Sequence, residues 1–192
     1  LFKFLIPIVL GLVPVAAYAE THVIGDSIAV GIANANGLDR AGHHRWRKGG
    51  MDTRVIIGYI DAFIATGKAK GATVILSSGA SNSTYERKSG PGRDFNEGPV
   101  RTQIRKLKAA GASVYLVGTG SKYSPWLTNR YGTYRVNFDA QNVNERLAVV
   151  AREEGAVFLG PLERYSPELN SIGDGIHPGP QGARAIYRAV KN

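Results

Sequence analysis

Apolar residues fall along this chain in two patterns, short unbroken runs and stripes at helical spacing, and the two take turns. Thr21-His22-Val23-Ile24 reads as a strand running into Gly25, and Ser27 to Ala35 as a helix ended near Gly37. Arg45-Trp46-Arg47 reads as a short edge strand. After Gly49-Gly50, the residues Val55, Ile56, Tyr59, Ile60, Phe63 and Ile64 recur at helical spacing up to Gly67. Thr73-Val74-Ile75-Leu76 is the kind of apolar run that a parallel sheet buries on both faces, and a turn-rich loop from Gly79 to Gly98 follows it. Val100, Ile104 and Leu107 mark another amphipathic helix, closed by Gly111. Ser113 to Val117 is the next buried strand, and a second long loop runs from Gly118 to Arg135. Val136 to Glu154 predicts the longest helix, with Val143, Leu147 and Val150 on one stripe. Ala156 to Leu159 is the final strand and Gln181 to Val190 the last helix.

Five strands thus alternate with five helices, with no hairpin evident. That alternation predicts an α/β fold, a three-layer sandwich in which a five-stranded parallel sheet carries helices on both faces through right-handed crossovers. Ligands of such sheets bind outside the carboxyl ends of the strands, so the loops after the first, third, fourth and fifth strands converge on one edge. At 192 residues, 43% apolar and with 24 glycines, the chain suits one globular domain with many tight turns.

The first nineteen residues differ from the rest. Lys3 gives a positive start, Phe4 to Ala17 is almost wholly apolar, and Ala17-Tyr18-Ala19 is a small-x-small site. This is the plan of a secretory signal peptide, residues 1–19, cleaved after Ala19 to leave residues 20–192 as the mature domain. A retained anchor fits less well, because a span wants roughly 20 apolar residues and this run is shorter and carries Pro7 and Pro14. A buried amino-terminal helix would need a polar face, which the run lacks. The chain has no cysteine, so neither a disulfide nor a lipid-modified Cys enters. The expectation is a periplasmic or secreted protein with no stable membrane anchor after cleavage.

The formal charge is +9, and without Lys3 the balance is 23 basic against 15 acidic residues, or +8. Such an excess favours anionic partners, which for an exported protein means acidic polysaccharide or envelope polymer sooner than nucleic acid. No nucleic-acid motif accompanies it, and solvated surface charge explains the excess equally well. No His, Cys, Asp or Glu cluster has ligand spacing, so no metal is called for, and no cofactor either.

The chemistry-bearing stretch is Asp174-Gly175-Ile176-His177-Pro178-Gly179. An Asp three residues before a His, on Gly- and Pro-rich chain that cannot be mid-helix, can aim both side chains at one point. That point needs a nucleophile, and Ser27, at the turn from the first strand into the first helix, is the candidate. A serine hydroxyl becomes nucleophilic when an imidazole takes its proton, and a carboxylate holds that imidazole in the right tautomer. The helix amino terminus favours the anion that would develop there. Asp26 reads as a residue that holds the turn together. His22, His43 and His44 have no comparable partner and read as structural.

Gly25-Asp26-Ser27 near the start, a Gly after the second strand, an Asn after the third and Asp174-x-x-His177 near the end resemble the SGNH, or GDSL-type, hydrolase family. The resemblance covers essentially all of the mature chain. It implies a flavodoxin-like sheet, with Ser27 as nucleophile, His177 as general base and then acid, and Asp174 as its orienting carboxylate. It also implies an oxyanion hole of Ser27 N–H, Gly50 N–H and the Asn82 side chain, with Gly49 in reserve for the second. The family's Gly-x-Asn is here Gly79-Ala80-Ser81-Asn82, one residue longer, so either Asn82 or Ser81 is the third donor.

The implied reaction is ester hydrolysis through an acyl-serine, without a cofactor. The loop from Ser121 to Arg135 interleaves Tyr123, Trp126, Tyr131 and Tyr134 with Lys122, Arg130 and Arg135, a mixture that suits sugar rings bearing acidic groups or simply packs on the body. Tyr123, Trp126, Arg130 and Tyr131 are the substrate-binding candidates. With export and positive charge, this favours removal of small acyl groups, acetyl first, from an envelope or extracellular polysaccharide or another acylated, possibly anionic substrate. A lipase or thioesterase for longer chains, an acyltransferase using the same residues, and a silent glycan-binding domain are the alternatives.

Overall fold

In the computed structural model, residues 19–38, 46–47, 53–79, 95–120, 126–129, 132–135, 140–166 and 177–191 are described, with backbone alone for 126–129, 132–135 and 140–142. Five helices are described: α1 (Ser27–Ala35), α2 (Thr53–Ala65), α3 (Glu97–Ala109), α4 (Ala140–Glu153) and α5 (Pro180–Lys191). The strands are β1 (Thr21–Gly25), β2 (Thr73–Ser77), β3 (Ser113–Val117), β4 (Trp126–Asn129), β5 (Gly132–Arg135) and β6 (Val157–Phe158).

The strands β1, β2, β3 and β6 form one parallel sheet in that order. Register places Gly25, Ser77 and Val117 side by side at the carboxyl edge. The strand expected at Arg45 to Arg47 is present among the described residues as a single parallel bridge, Arg47 to Gly25. That bridge lies on the free side of β1, where a fifth strand of a doubly wound sheet belongs.

Alternation of side chains sends each strand's residues to opposite faces. Ile24, Val74, Leu76, Val114 and Leu116 meet Ile56, Ile60 and Phe63 of α2, Ile104 and Leu107 of α3 and Leu147 and Val150 of α4. Val23, Ile75 and Val117 meet Ile28 and Ile32 of α1 and Ala183 and Ile186 of α5. Each of the Val, Leu, Ile and Phe side chains, once buried, contributes about 1.5–3 kcal/mol, so both helix layers are held to the sheet by its own alternation.

One expectation is corrected. The segment Gly118 to Arg135 is not all loop: β4 and β5 pair antiparallel, with Trp126 opposite Arg135 and Asn129 opposite Gly132. This hairpin stands apart from the parallel sheet. Its strands are rich in Trp, Thr and Tyr, residues that favour the extended chain over a loop. No helix among the described residues is long and apolar enough to cross a membrane.

Candidate active site

The site is built on the turn that joins β1 to α1. Gly25 has φ of +141°, and a Cβ there would collide with the Ser77 carbonyl of the neighbouring strand. Glycine alone allows β1 and β2 to lie this close while the chain turns. Asp26 follows, wholly buried, as the N-cap of α1. Its Oδ1 accepts the Ile28 N–H at 3.1 Å and the Ser77 hydroxyl at 2.7 Å, and its own N–H donates to the Ser77 carbonyl at 3.2 Å. The turn is therefore pinned to β2 from both its backbone and its side chain.

Ser27 is the first residue of α1, where a backbone N–H has no acceptor within the helix. It is half-exposed, so a substrate can reach its hydroxyl. His177 Nε2 lies 2.7 Å from Ser27 Oγ, although 150 residues separate the two. At that distance the imidazole can take the hydroxyl proton directly.

The His177 segment is itself anchored. Gly179 N–H donates to the Ser166 hydroxyl at 3.3 Å, and the Gly179 carbonyl accepts the Ala183 N–H at 2.9 Å. Gly182, in the first turn of α5, lies so close to Ser166 that no side chain would fit there. Asn36 Nδ2, just past α1, donates to Ile32 O at 2.7 Å and to Ala183 O at 3.3 Å. The helix that begins with the nucleophile and the helix that follows the histidine are thereby joined, and they share one apolar layer.

Burial raises the Asp26 pKa above the ordinary carboxylate range, against the lowering effect of the Ser77 and Ile28 hydrogen bonds and of the nearby His177 charge. The chain after β3 is fixed in a similar way. Asn144 of α4 accepts the Thr119 N–H at 2.8 Å and donates to the Thr119 carbonyl at 2.9 Å. Gly118 leaves no room for a side chain between Asn144 and the Gly160 carbonyl.

No family model and no curated protein matches the chain. Solved structures do. A mutant of Axe2, an acetyl-xylooligosaccharide esterase from Geobacillus, is similar with a TM-score of 0.58 at 15% identity, over 89% of this chain and 91% of that one. The YxiM protein of Bacillus subtilis matches at 0.56 and 19% identity over 91% of this chain, which spans 55% of the Bacillus chain. The catalytic domain of the peptidoglycan O-acetyltransferase A of Streptococcus pneumoniae matches at 0.50 and 16% identity, over 91% of this chain and 94% of that domain.

The chain has the SGNH-hydrolase fold. Of the residues implicated by sequence, the structure brings together Ser27 and His177. Asp174, Gly50, Asn82, Tyr123, Arg130 and Tyr131 lie outside the described residues, as do Gly49 and Ser81. Trp126 and Tyr134 stand on the hairpin, two residues of an antiparallel ribbon rather than of a loop. Among the described residues no group of three or more His, Cys, Asp or Glu is placed to hold a metal.

Three supports of this site escaped the sequence reading. Ser77 could have been found as the small polar residue that ends an apolar strand in register with Gly25. Asn144 could have been found as an amide on the apolar stripe of a helix. For Ser166 the sequence offers no signal, since it lies in irregular chain after the turn at Leu162–Arg164.

Proposed function

We propose that the chain is an exported SGNH-type serine esterase that removes small acyl groups, acetyl first, from an envelope or extracellular polysaccharide. The observation that carries this reading is the 2.7 Å approach of His177 Nε2 to the hydroxyl of Ser27 at a helix amino terminus. Ser27 attacks the ester carbonyl and its proton passes to His177. The oxyanion rests on Ser27 N–H, Gly50 N–H and the Asn82 amide, while Asp174 orients His177. His177 then protonates the leaving alcohol, and a water activated by the same imidazole releases the acid from the acyl-serine. No cofactor enters the cycle.

Acetylated carbohydrate is supported by the likeness to an acetyl-xylooligosaccharide esterase and to a peptidoglycan O-acetyltransferase. The basic excess and the aromatic and cationic residues of the hairpin segment suit an anionic glycan. The second likeness also favours an alternative: the acyl-serine could pass its acyl group to a sugar hydroxyl instead of water. Acceptor-dependent transfer of label from an acyl ester, compared with release of free acid, separates the two.

The test is hydrolysis of p-nitrophenyl acetate, butyrate and octanoate by the protein beginning at Glu20, beside its Ser27→Ala variant. Acetate should be the fastest, and Ser27→Ala should lose at least about 10⁴-fold in kcat. Asn82→Ala should lose about 10² to 10³-fold in kcat; an unchanged kcat there would hand the third donor to Ser81. Octanoate preference would move the substrate to lipids. Equal rates for wild type and Ser27→Ala would end the esterase reading and leave glycan binding.

A further inference from the structure

The mechanism above leaves one buried acid unused. Asp26 is wholly buried, immediately precedes Ser27, and has no catalytic duty in the proposed cycle. Its Oδ1 is filled by the Ile28 N–H and the Ser77 hydroxyl, while its buried Oδ2 has no hydrogen-bond partner among the described residues. Two donors on Oδ1 favour the ionised form, and so does the positive end of α1. Burial works against that charge and raises the pKa above the ordinary range; in the ionised form, with little water around it, the carboxylate's field reaches farther than at a surface.

We propose that Asp26 is a positioning residue with an electrostatic duty: its buried carboxylate stabilises the His177 imidazolium that forms when Ser27 gives up its proton. The geometry places it for that role. Asp26 fixes Ser27 through the first turn of α1, and Ser27 Oγ is 2.7 Å from His177 Nε2. The positive form of His177 in turn favours the ionised Asp26, and an interaction between two charges is reciprocal. This rests on the serine-esterase reading for its kinetic consequence, but not for the interaction itself.

Among the described residues, the other charged groups around the turn are few. Helix α1 carries none, and the end of β2 offers only the hydroxyls of Ser77 and Ser78. Arg47 is bridged to Gly25 on the neighbouring segment, and burial lowers its pKa. On β1, His22 lies tilted against the Phe63 ring in the α2 layer, away from α1. Arg184, Arg188 and Lys191 of α5 are the cations of the helix that follows His177, and Asp174 precedes His177 in sequence.

The test compares wild type with Asp26→Asn and Asp26→Ser. Asn keeps the acceptor toward Ile28 and Ser77 without the charge, and Ser keeps an N-cap in less space. Folding is checked first by circular dichroism, and the Ser variant serves if the Asn variant does not fold. Two readouts follow. In kcat/KM against pH, the acid limb should move to lower pH by about half a unit or more in either variant, with the plateau lowered about three- to tenfold. In an NMR titration, the His177 ring, assigned by its loss in His177→Asn, should lose its proton at lower pH than in wild type. A folded variant with unmoved acid limb and unmoved ring titration would reduce Asp26 to a structural cap. If wild type proves to have no Ser27-dependent turnover, the esterase reading fails, and the ring titration still decides the Asp26 interaction.

Discussion

Gly25 is the residue that most narrowly limits the site. Its φ of +141° is a conformation that side chains rarely adopt, and the Ser77 carbonyl occupies the space a Cβ would need. Gly25→Ala should therefore destabilise the protein by about 2 kcal/mol or more, read as a lower chemical-denaturation midpoint. It should also cut activity beyond what the lost folded fraction explains, because the turn it distorts carries Asp26 and Ser27. Wild-type stability would mean that β1 and β2 can separate without cost. At this scale the sequence is informative where chemistry and backbone demands coincide: Gly25, Ser27 and His177 are recognisable because a turn and a nucleophile–base pair restrict residue type. Asp26 is recognisable only as a turn former, since nothing in Gly-Asp-Ser says that its carboxylate is wholly buried beneath Ser77. Burial is decided by the neighbour strand, and register across 51 residues is invisible locally.

Among the elements, α3 and α4 are joined by more than their apolar stripes. Arg101 meets Glu153 at 2.7 Å, Glu154 at 3.1 Å and Glu97 at 3.0 Å; Arg105 meets Glu154 at 2.6 Å, and Arg146 meets Glu97 at 2.7 Å. Isolated surface pairs contribute about 0–1 kcal/mol each, but here Glu97 and Glu154 each serve two guanidiniums of the same network. The Arg146 hydrogen bond lowers the Glu97 pKa, and the Arg105 hydrogen bond that of Glu154. A carboxylate with a depressed folded pKa gives stability that is present above its ordinary value near 4.5 and lost as pH falls through the folded value. Glu154→Gln should accordingly lower the thermal midpoint at pH 7 and leave it nearly unchanged at a pH low enough to protonate the folded carboxylate, as calorimetry at both pH values would show. An equal loss at both would mean that Glu154 acts by packing. The element order was legible because hydrophobic period separates buried strands from amphipathic helices. The hairpin was not: Trp126 to Arg135 has neither an unbroken apolar run nor a helical stripe, and pairing between two mostly polar strands leaves no period to read. The edge beside β1 was legible only as Arg45-Trp46-Arg47, of which the described part is the bridge at Arg47.

For the whole molecule, the decisive feature is that the sheet separates two apolar layers and the site belongs to only one. Ser27 begins α1 and His177 leads into α5, and both helices rest on the layer of Val23, Ile75, Val117, Leu159 and Ile186. The opposite layer, with Ile104, Leu107, Leu116 and Phe63, is the larger among the described residues and draws none of its members from α1 or α5. Ile104 and Ile186 are both fully buried, so truncation of either to Ala should cost about 2–5 kcal/mol. The consequences for activity should differ. Ile104→Ala removes packing between α3 and the far face, so the folded fraction keeps its Ser27–His177 distance and its kcat/KM at temperatures well below unfolding. Ile186→Ala loosens α5 against the sheet, and α5 is continuous with the segment that Ser166 and Gly179 hold. A displacement of about 1 Å at the imidazole can cost about 10²-fold in rate, so this variant should lose activity while still folded. Measuring ester turnover and circular dichroism of the two variants across one temperature series separates the cases. Parallel loss of activity and structure in both would mean that the sheet transmits strain between its layers, and that the site depends on the entire core.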